Sequence, residues 1–413
     1  MPGRLCVCLE RTHQCLAVRC SRCLQAGKYY SMNKTSRILL GVALTLFIVI
    51  NLWLVSINSK IFCPSSSHII RQKPQVTPRP VVPKKHSVIL TSDNNTYHLN
   101  LAQHEVEFPF LQSYICTLLE NSLGHCRSPG DAPLLLLAMK SHPASGNRRA
   151  ALRQTWAAEG EISGYQIKRL FLLATVPSLG QMNLLEEEIK EFQDILQWNF
   201  TESHHNLSLK ERCFLDWLHN NCKEAEFIFK GDDDMLMNPT SLIQYLGTIG
   251  NISRTLHGNL MHRAVVFRGG KYAVTHTLFP YLHYPTFLSG GGFIIPRNVI
   301  PGLFRASLEL PVFPLDDVYL GFLGVAANVT MVHNPRFYLF GLEYNICQYK
   351  QALVVHQFTS ESLVKIWQEL QEIQQTQGGS DDDQQETTNN EDQTGQCAVK
   401  EGDNMLLRNF QCK

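Results

Sequence analysis

The sequence lacks a large net charge of either sign. Its 413 residues carry 37 Lys and Arg against 36 Asp and Glu, a formal charge of +1. A chain with this balance has no basic excess with which to hold a nucleic acid, so we expect no nucleic-acid partner. No internal repeat is visible. The length suffices for one large domain, or two smaller ones, with a sizeable core.

Residues 38–57, "ILLGVALTLFIVINLWLVSI", lack any charged side chain. Twenty residues at 1.5 Å rise can cross a bilayer as a helix. A cleaved signal peptide is the alternative, but its apolar region is shorter, and "NSKIFCPSSS" is a poor cleavage site. Residues 1–37 carry seven basic residues and one acidic residue, which predicts a cytosolic tail, a transmembrane signal-anchor and a lumenal remainder, a single-pass type II protein. A start at Met32 instead of Met1 stays open.

The cysteines also lack the spacing of a zinc finger, since no His pair or second C-x-x-C accompanies them at finger spacing. Five of the 13 cysteines precede the anchor, and eight follow it, an even number suited to lumenal disulfides. Cys116 and Cys126 could close a small loop. The part after the anchor also has five N-x-S/T acceptors, which fit the secretory pathway: Asn94, Asn199, Asn206, Asn251 and Asn328.

Composition divides the part after the anchor into three. Residues 58–107 contain "RQKPQVTPRPVVPKK" and are predicted to be an extended, Pro-rich lumenal stem. Residues 108–371 form the folded domain. Residues 372–413 are an acidic, low-complexity tail, predicted to be disordered and dispensable, and the "DDD" at 381–383 is a solvated charge run without a strand before it.

Within the folded domain, apolar runs alternate with helical spacing. The predicted strands are 133–141, 167–175, 196–199 and 226–230, and the predicted helices are 147–158 (capped by Asn147), 182–195 and 206–222. This alternation indicates an α/β fold with a mostly parallel sheet covered on both faces. Ligands of such sheets bind outside the carboxyl ends of the strands.

Three consecutive carboxylates stand at such an end, in "EFIFKGDDDMLMN". Because strand side chains alternate, Asp232 and Asp234 can lie on one side and Asp233 on the other. A D-x-D pair suits Mg²⁺ or Mn²⁺, which would offset the repulsion and recruit a diphosphate. A solvated turn, or a helix N-cap leading into "PTSLIQYL", is the alternative.

Two more stretches supply context. In "YPTFLSGGGFIIP", Gly290, Gly291 and Gly292 let the backbone approach a ligand, unless they form a flexible loop. In "LPVFPLDDVYLGFL", Asp316 and Asp317 stand among apolar residues, where a carboxylate can have a raised pKa and act as a general base. Alternatively, Asp316 caps a helix and Asp317 lies in its first turn.

Six ordered motifs resemble a known family: "NRRAALRQTW", "RLFLLAT", "HNLSLKERCFLDWL", "FIFKGDDDMLMN", "YPTFLSGGGF" and "FPLDDVYLG". They are similar to the Golgi β-1,3-glycosyltransferases, glycosyltransferase family 31, and most similar to its β-1,3-N-acetylglucosaminyltransferase branch. The resemblance runs from about 108 to 371. It implies an α/β, GT-A type nucleotide-sugar transferase domain behind an N-terminal transmembrane anchor, with Mn²⁺ as cofactor.

The resemblance also implies residue roles. Asp234 would be the direct metal ligand, and Asp232 would also lie at the metal. Asp232 and Asp233 would lie nearer the nucleotide. His356, which by itself reads as a core histidine, would ligate the same metal. Asp317, next to Asp316, would be the catalytic base. Arg149 and Arg153 lie near the donor-binding motif, unless they form an exposed basic helix face, and Gly290–Gly292 would lie at the donor sugar and acceptor.

The function implied is inverting transfer of N-acetylglucosamine from UDP-GlcNAc to the 3-hydroxyl of a terminal galactose, in the Golgi membrane. A β-1,3-galactosyltransferase using UDP-Gal and a non-catalytic Golgi partner protein are the alternatives, and a homo- or hetero-oligomer with other Golgi transferases stays open. The chain departs from the family pattern at "MLMN" after the triplet and at "TWAA", the last four residues of the first predicted helix. Neither change removes a named chemical group, but both alter packing near the metal.

Overall fold

The structure, a computed structural model, describes residues 87–128, 130–249, 254–340 and 342–377. The predicted cytosolic tail and anchor, the stem up to residue 86 and the tail from residue 378 lie outside the described residues. Within the described ranges, no helix is both long enough and apolar enough to cross a membrane.

The strands are mostly apolar runs. They are Ser87–Ser92 (β1), Asn95–Asn100 (β2), Leu118–Glu120 (β3), Leu134–Lys140 (β4), Gly160–Ile162 (β5), Tyr165–Thr175 (β6), Ile195–Thr201 (β7), Ala225–Asp232 (β8), Met235–Met237 (β9), Thr255–Met261 (β10), Phe287–Pro296 (β11), Thr330–His333 (β12), Phe337–Tyr338 (β13) and Val354–His356 (β14).

The helices stand between them. They are Leu101–Glu107 (α1), Pro109–Ser113 (α2), Gly146–Gln154 (α3), Leu179–Phe192 (α4), Leu207–Asn221 (α5), Pro239–Ile249 (α6), Ile300–Glu309 (α7), Asp316–Ala326 (α8), Ile346–Gln351 (α9) and Ser360–Gln377 (α10). Short 3₁₀ turns cover Leu123–Cys126 and Arg297–Val299.

In the part of the chain that the structure describes, the main sheet has nine strands in the order β12-β10-β11-β8-β4-β6-β7-β3, with β5 paired to β6. Strands β8, β4, β6 and β7 are parallel, but β11 runs antiparallel to both its neighbours, β8 and β10. The prediction of a mostly parallel sheet is therefore correct for the centre and wrong around β11, and also at β3 and β5, which pair antiparallel with β7 and β6. The physical reason is the connection 262–286, which reaches β11 without the crossover helix that parallel pairing requires.

The central strand β4 is buried on both faces, as predicted. Leu134, Leu136 and Ala138 belong to one apolar core, which helices α5, α7 and α8 cover. The alternate residues Leu135, Leu137 and Met139 belong to a second core on the other face, against α3, α4, α6 and α10. Because side chains alternate along a strand, a continuous apolar run fills both cores at once.

The folded part begins earlier and ends later than predicted. Strands β1 and β2 form a hairpin within the predicted stem, and its Tyr97 and Leu99 are buried in the core. The stem prediction is therefore wrong from Ser87 onward, because the alternating apolar residues of this hairpin pack into the core. Helix α10 continues to Gln377, past residue 371. Asn147 is not the cap of α3, because Ser145 precedes that helix and Asn147 lies inside it.

Two disulfides join the segment around β3 to helix α5 and its end. They are Cys116–Cys213 and Cys126–Cys222. A Cys116–Cys126 loop is therefore wrong: β3 pairs with the edge strand β7, and both cysteines turn toward the α5 side of the sheet, where all four sulfur-bearing side chains join one apolar core.

Candidate active site

Two parallel strands bring the first charged pair of the site together. The register of β4 and β8 sets Lys140 opposite Asp232. Lys140 Nζ lies 3.1 Å from Asp232 Oδ1 and 2.8 Å from Oδ2 of Asp316, at the start of α8. Burial alone would lower the pKa of Lys140, but the charges of Asp232 and Asp316 raise it well above its ordinary range. Lys140 therefore stays protonated, and its positive charge lies between two carboxylates.

The side chains of the triplet alternate as predicted. Asp232 ends β8, and the next two residues turn into β9. Asp233 faces away from the other two: its Oδ2 accepts a hydrogen bond from Ser141 Oγ at 2.7 Å, and its Oδ1 lies 3.0 Å from Arg148 Nη1. Asp232 and Asp234 face His356 instead.

His356 reaches the triplet through the small sheet β13-β14-β9, whose register sets it opposite Met235. Its Nε2 lies 2.9 Å from Asp234 Oδ1 and 3.7 Å from Asp232 Oδ2. The adjacent carboxylates of Asp232 and Asp234 raise the pKa of His356 to about 9. Burial alone would raise the pKa of Asp232, but Lys140 and His356 hold it far below its usual range.

The backbone after His356 is fixed against the same turn. The amides of Gln357 and Phe358 both donate to the carbonyl of Asp234, at 3.0 and 2.9 Å. Gln357 has φ +80°, a left-handed conformation that a residue with a side chain rarely adopts. Such strain persists where the surrounding structure imposes it, and it is typical of functional sites.

Asp232, Asp234 and His356 fit a divalent cation. Each offers one ligand atom, and the three atoms lie within 4.8 Å of one another. Two carboxylate oxygens with one imidazole nitrogen form a donor set for a divalent metal, and the oxygens favour Mg²⁺ or Mn²⁺. The structure thus brings together the three residues assigned to the metal, although the identity of the ion stays a prediction.

Asp316 and Asp317 open helix α8, one residue after its N-cap Leu315, so the prediction that Asp316 caps the helix is wrong by one position. Burial would raise the pKa of Asp316, but the charges of Lys140 and Lys230 lower it below the ordinary value. Burial raises the pKa of Asp317, and the charge of Asp316 raises it further. Two neighbouring carboxylates whose pKa values are driven apart are typical of an acid–base site.

The three glycines lie in strand β11, so a flexible loop is excluded. The Gly290 amide donates to Asp317 Oδ2 at 2.8 Å. A Cβ on Gly290 would lie 2.0 Å from Asp317 Oδ1, and one on Gly291 would lie 2.9 Å from the Leu339 side chain. At Gly292, Phe229 and Val354 are the near neighbours, both at 3.3 Å. In the structure, the glycines let protein groups approach the strand, Asp317 above all; their contact with a donor sugar stays a prediction.

Arg149 and Arg153 both have protein partners. Arg149 is buried, with Nε 2.7 Å and Nη2 2.6 Å from the carboxylate of Glu188. Arg153 binds Asp194 and Glu188, each at 2.7 Å. An exposed basic helix face is therefore wrong for this pair. Their assignment to the donor remains untested.

Sequence reasoning missed Lys140 and Arg148. Arg148 Nη1 lies 3.0 Å from Asp233 and 3.4 Å from Asp234, and its side chain keeps 40% of its surface exposed. A signal for Lys140 existed, because it ends the apolar run of β4 just as Asp232 ends that of β8. No comparable sequence feature singled out Arg148, which lies next to Arg149 in the same helix.

Comparison with known proteins gives a consistent result. A family model described as galactosyltransferase matches residues 147–335. An acetylgalactosaminyl-O-glycosyl-glycoprotein β-1,3-N-acetylglucosaminyltransferase of Mus musculus is 34% identical over 252 residues, which cover 57% of this chain and 64% of that protein. The chain thus spans slightly less than two thirds of that relative's length.

A longer alignment joins the chain to the UDP-GlcNAc:βGal β-1,3-N-acetylglucosaminyltransferase 7 of Rattus norvegicus, 31% identical over 332 residues, covering 75% of this chain and 83% of that protein. Among solved structures, the galactosyltransferase LgtC is 11% identical with a TM-score of 0.30, covering 57% of this chain and 96% of LgtC. This structural similarity is too low to support a conclusion. The resemblance seen in the six motifs is confirmed, and the chain belongs to the β-1,3-glycosyltransferases of glycosyltransferase family 31.

Proposed function

We propose that this chain transfers N-acetylglucosamine from UDP-GlcNAc to the 3-hydroxyl of a terminal galactose, in a β-1,3 linkage and with inversion. The observation that carries the proposal is one sheet edge that holds both a carboxylate of raised pKa, Asp317, and the cluster of Asp232, Asp234 and His356. The names of the two relatives support N-acetylglucosamine as the sugar.

Asp317 is the base. It takes the proton of the galactose 3-hydroxyl while that oxygen bonds to C1 of the sugar, and the bond from C1 to the UDP oxygen breaks on the opposite face. The Gly290 amide fixes the carboxylate of Asp317. Lys140 neutralises the adjacent Asp316, so that two buried negative charges do not stand alone beside the reacting oxygen.

Asp232, Asp234 and His356 are the residues that would hold Mn²⁺, which supplies positive charge for the diphosphate in place of a general acid. Arg148 stands next to this cluster with its side chain partly exposed. It is therefore a second cation that a diphosphate can meet there, and we assign it to the donor side of the site.

The proposed location is the Golgi membrane, with residues 38–57 as the anchor of a type II protein and the transferase domain in the lumen. The uncharged run and its basic flank support this topology. Protease protection of the full chain in sealed vesicles tests it: a tag at residue 413 should be protected and one at residue 1 cleaved, whereas the reverse pattern would overturn the topology.

The test of the reaction supplies UDP-GlcNAc and UDP-Gal in separate reactions, with Mn²⁺ and N-acetyllactosamine. We expect product from UDP-GlcNAc, β-linked at the 3-position, and none in EDTA. Product from UDP-Gal alone would favour the galactosyltransferase alternative, which the name of the family model also suggests. Transfer that persists in EDTA would exclude a required metal, and no transfer to any galactose-terminated acceptor would favour a non-catalytic partner protein.

A further inference from the structure

Ser141, the first residue after strand β4, has a hydrogen-bond partner for each of its polar groups. Its amide donates to the carbonyl of Leu172 at 3.1 Å, and its carbonyl accepts a hydrogen bond from Lys210 Nζ at 2.6 Å. Its hydroxyl accepts from Arg149 Nη1 at 3.0 Å and donates to Asp233 Oδ2 at 2.7 Å. The residue is buried. Ser141 is therefore fixed on several sides, and it can in turn fix the side chain of Asp233.

The guanidinium of Arg149 is fully buried, and the protein binds all five of its N–H groups. Its Nη1 donates to Ser141 Oγ and, at 2.6 Å, to the carbonyl of His142. Its Nη2 donates to the carbonyl of Pro143 at 3.3 Å, and Nε and Nη2 bind the carboxylate of Glu188. No N–H group of Arg149 is left for a diphosphate, so its side chain acts on the protein itself.

The neighbouring Arg148 differs in this respect. Both arginines lie in helix α3 and both reach Asp233, Arg148 directly at 3.0 Å from Oδ1 and Arg149 through Ser141. The Arg148 side chain is 40% exposed, whereas Arg149 is held inside by its two-point contact with Glu188 of helix α4. A planar fork that is held at two points has little freedom, so Arg149 suits a positioning role and Arg148 suits contact with a ligand.

Asp233 joins this network to the metal cluster. It stands between Asp232 and Asp234, and both of its carboxylate oxygens have partners on the side of Ser141 and Arg148. The side chains of the triplet alternate, so an Asp233 that is fixed on one side leaves its two neighbours on the other. There the ligand atoms of Asp232, Asp234 and His356 lie within 4.8 Å of one another. The direction of Asp233 and the presentation of the metal ligands are therefore linked.

We propose that Ser141 and Arg149 are positioning residues of the metal-binding turn. Arg149 holds Ser141, Ser141 holds Asp233, and Asp233 held in this way directs Asp232 and Asp234 toward a bound cation. The inference rests on the proposed function, since it concerns the cluster assigned there to Mn²⁺. It gives Arg149 a role within the protein in place of the donor contact that the family resemblance implies.

Paramagnetic titration of the full chain with Mn²⁺, without donor or acceptor, tests the link through Ser141. Ser141→Ala should weaken Mn²⁺ binding by about tenfold, because a hydrogen bond to a charged group is lost. Ser141→Thr keeps the hydroxyl group and should bind Mn²⁺ within about threefold of the unmodified chain. Ser122→Ala is the matched control, since the buried Ser122 hydroxyl donates to the carbonyl of Ile195 at 2.8 Å, and it should leave Mn²⁺ binding unchanged.

Arg149→Lys tests the second link of the network. Lysine keeps the positive charge but cannot bind Ser141, two carbonyls and a carboxylate at the same time. We expect Mn²⁺ binding to weaken by about tenfold, and no further when Arg149→Lys is combined with Ser141→Ala, because both changes act through Asp233. Arg169→Lys is the matched control, since the Arg169 guanidinium binds the buried carboxylate of Asp194 at 2.7 Å, and it should leave Mn²⁺ binding unchanged.

The variants also define the results that contradict the inference. Mn²⁺ binding by Ser141→Ala as tight as that of the unmodified chain would overturn it. An equal loss of affinity in Ser122→Ala would do so as well, because the loss would then be a general effect of destabilisation. If Arg149→Lys leaves Mn²⁺ binding intact and raises only the KM for UDP-GlcNAc, Arg149 contacts the donor and the inference is wrong.

The titration separates this inference from the proposed function, because it requires no transfer. Mn²⁺ binding that depends on Ser141 and Arg149, without transfer of any sugar, would support the inference and overturn the transferase. Transfer that requires Mn²⁺ but is unaffected by both substitutions would do the opposite. An unmodified chain that binds no Mn²⁺ would overturn the inference, whatever the transfer assay shows.

Discussion

The turn Asp232–Asp234 and the helix start Asp316–Asp317 present the same residue type to opposite surroundings. The turn is ringed by cations: Lys140 pairs with Asp232, Arg148 with Asp233 and Asp234, and His356 with Asp234. At the helix start, Asp316 shares Lys140, and Asp317 has a backbone amide for a partner. Lys140 and His356 lower the pKa of Asp232, whereas burial and Asp316 raise the pKa of Asp317 to about 7. Neighbours, rather than residue type, therefore decide whether a buried aspartate stays ionised.

The largest expected effect comes from Asp317→Asn. If Asp317 is the base, kcat should fall by about 10²- to 10⁴-fold, because the amide cannot accept the proton. Mn²⁺ affinity, measured by paramagnetic titration, should stay within about twofold, because Asp317 is not among the three grouped ligand atoms. Residual activity near that of the unmodified chain would move the base elsewhere.

Within the triplet, Asp234→Asn should weaken Mn²⁺ binding by about 100-fold, since loss of even an outer partner of a metal ligand costs up to that much. Asp233→Asn is the matched control, because Asp233 faces Ser141 and Arg148. Metal titration of the two variants sharpens the comparison inside one tripeptide. Equal loss in both would mean that the alternation seen in the structure does not govern metal binding.

Gly290→Ala tests whether the close contact between Gly290 and Asp317 keeps the carboxylate at the start of helix α8 in place. The added methyl would overlap Asp317 Oδ1, and displacement of a catalytic group by about 1 Å costs on the order of 100-fold in rate. Gly180→Ala is the control, because a Cβ there meets no atom within 4 Å. Thermal unfolding of both variants, measured with kcat, distinguishes a displaced base from a destabilised fold.

The smallest effect is on pH dependence. Asp317 must be unprotonated to act, so kcat/KM should fall as the pH drops through its pKa. Burial and Asp316 raise that pKa above the ordinary value of about 4 for aspartate. Asp316→Asn removes the neighbouring negative charge, so the acidic limb of the profile should move to lower pH. A limb that does not move would mean that Asp316 does not influence the base.

Much of the local structure could be predicted. The run "PLLLLAMKS" forms β4, and "EFIFK" forms the middle of β8, because apolar runs of this length bury on both faces of a sheet. The order of the sheet could not be predicted, because nothing local in "FLSGGGFIIP" indicates that β11 enters between β8 and β10 in the antiparallel sense.

The residues of the candidate site likewise divide into those that the sequence indicated and those that it did not. Asp232, Asp234 and Asp317 stood out because carboxylates in apolar surroundings are expensive and therefore informative. Lys140 and Arg148 did not, since a lysine that ends a strand and an arginine in a basic helix occur in many proteins without a site. Their importance comes from partners 176 residues and 85 residues away along the chain, Asp316 and Asp233.

The sequence by itself determined the α/β alternation, the position of the triplet at a strand end, the alternation of its side chains and, through its ordered motifs, the family. Those features depend on periodicity and on neighbours along the chain. Tertiary structure alone decided which carboxylate is paired, which pKa rises and that Gly290 makes room for Asp317, whereas the family motifs had already assigned His356 to the triplet. Electrostatic interactions depend on distance in space and on burial, and both are set only when distant segments pack together.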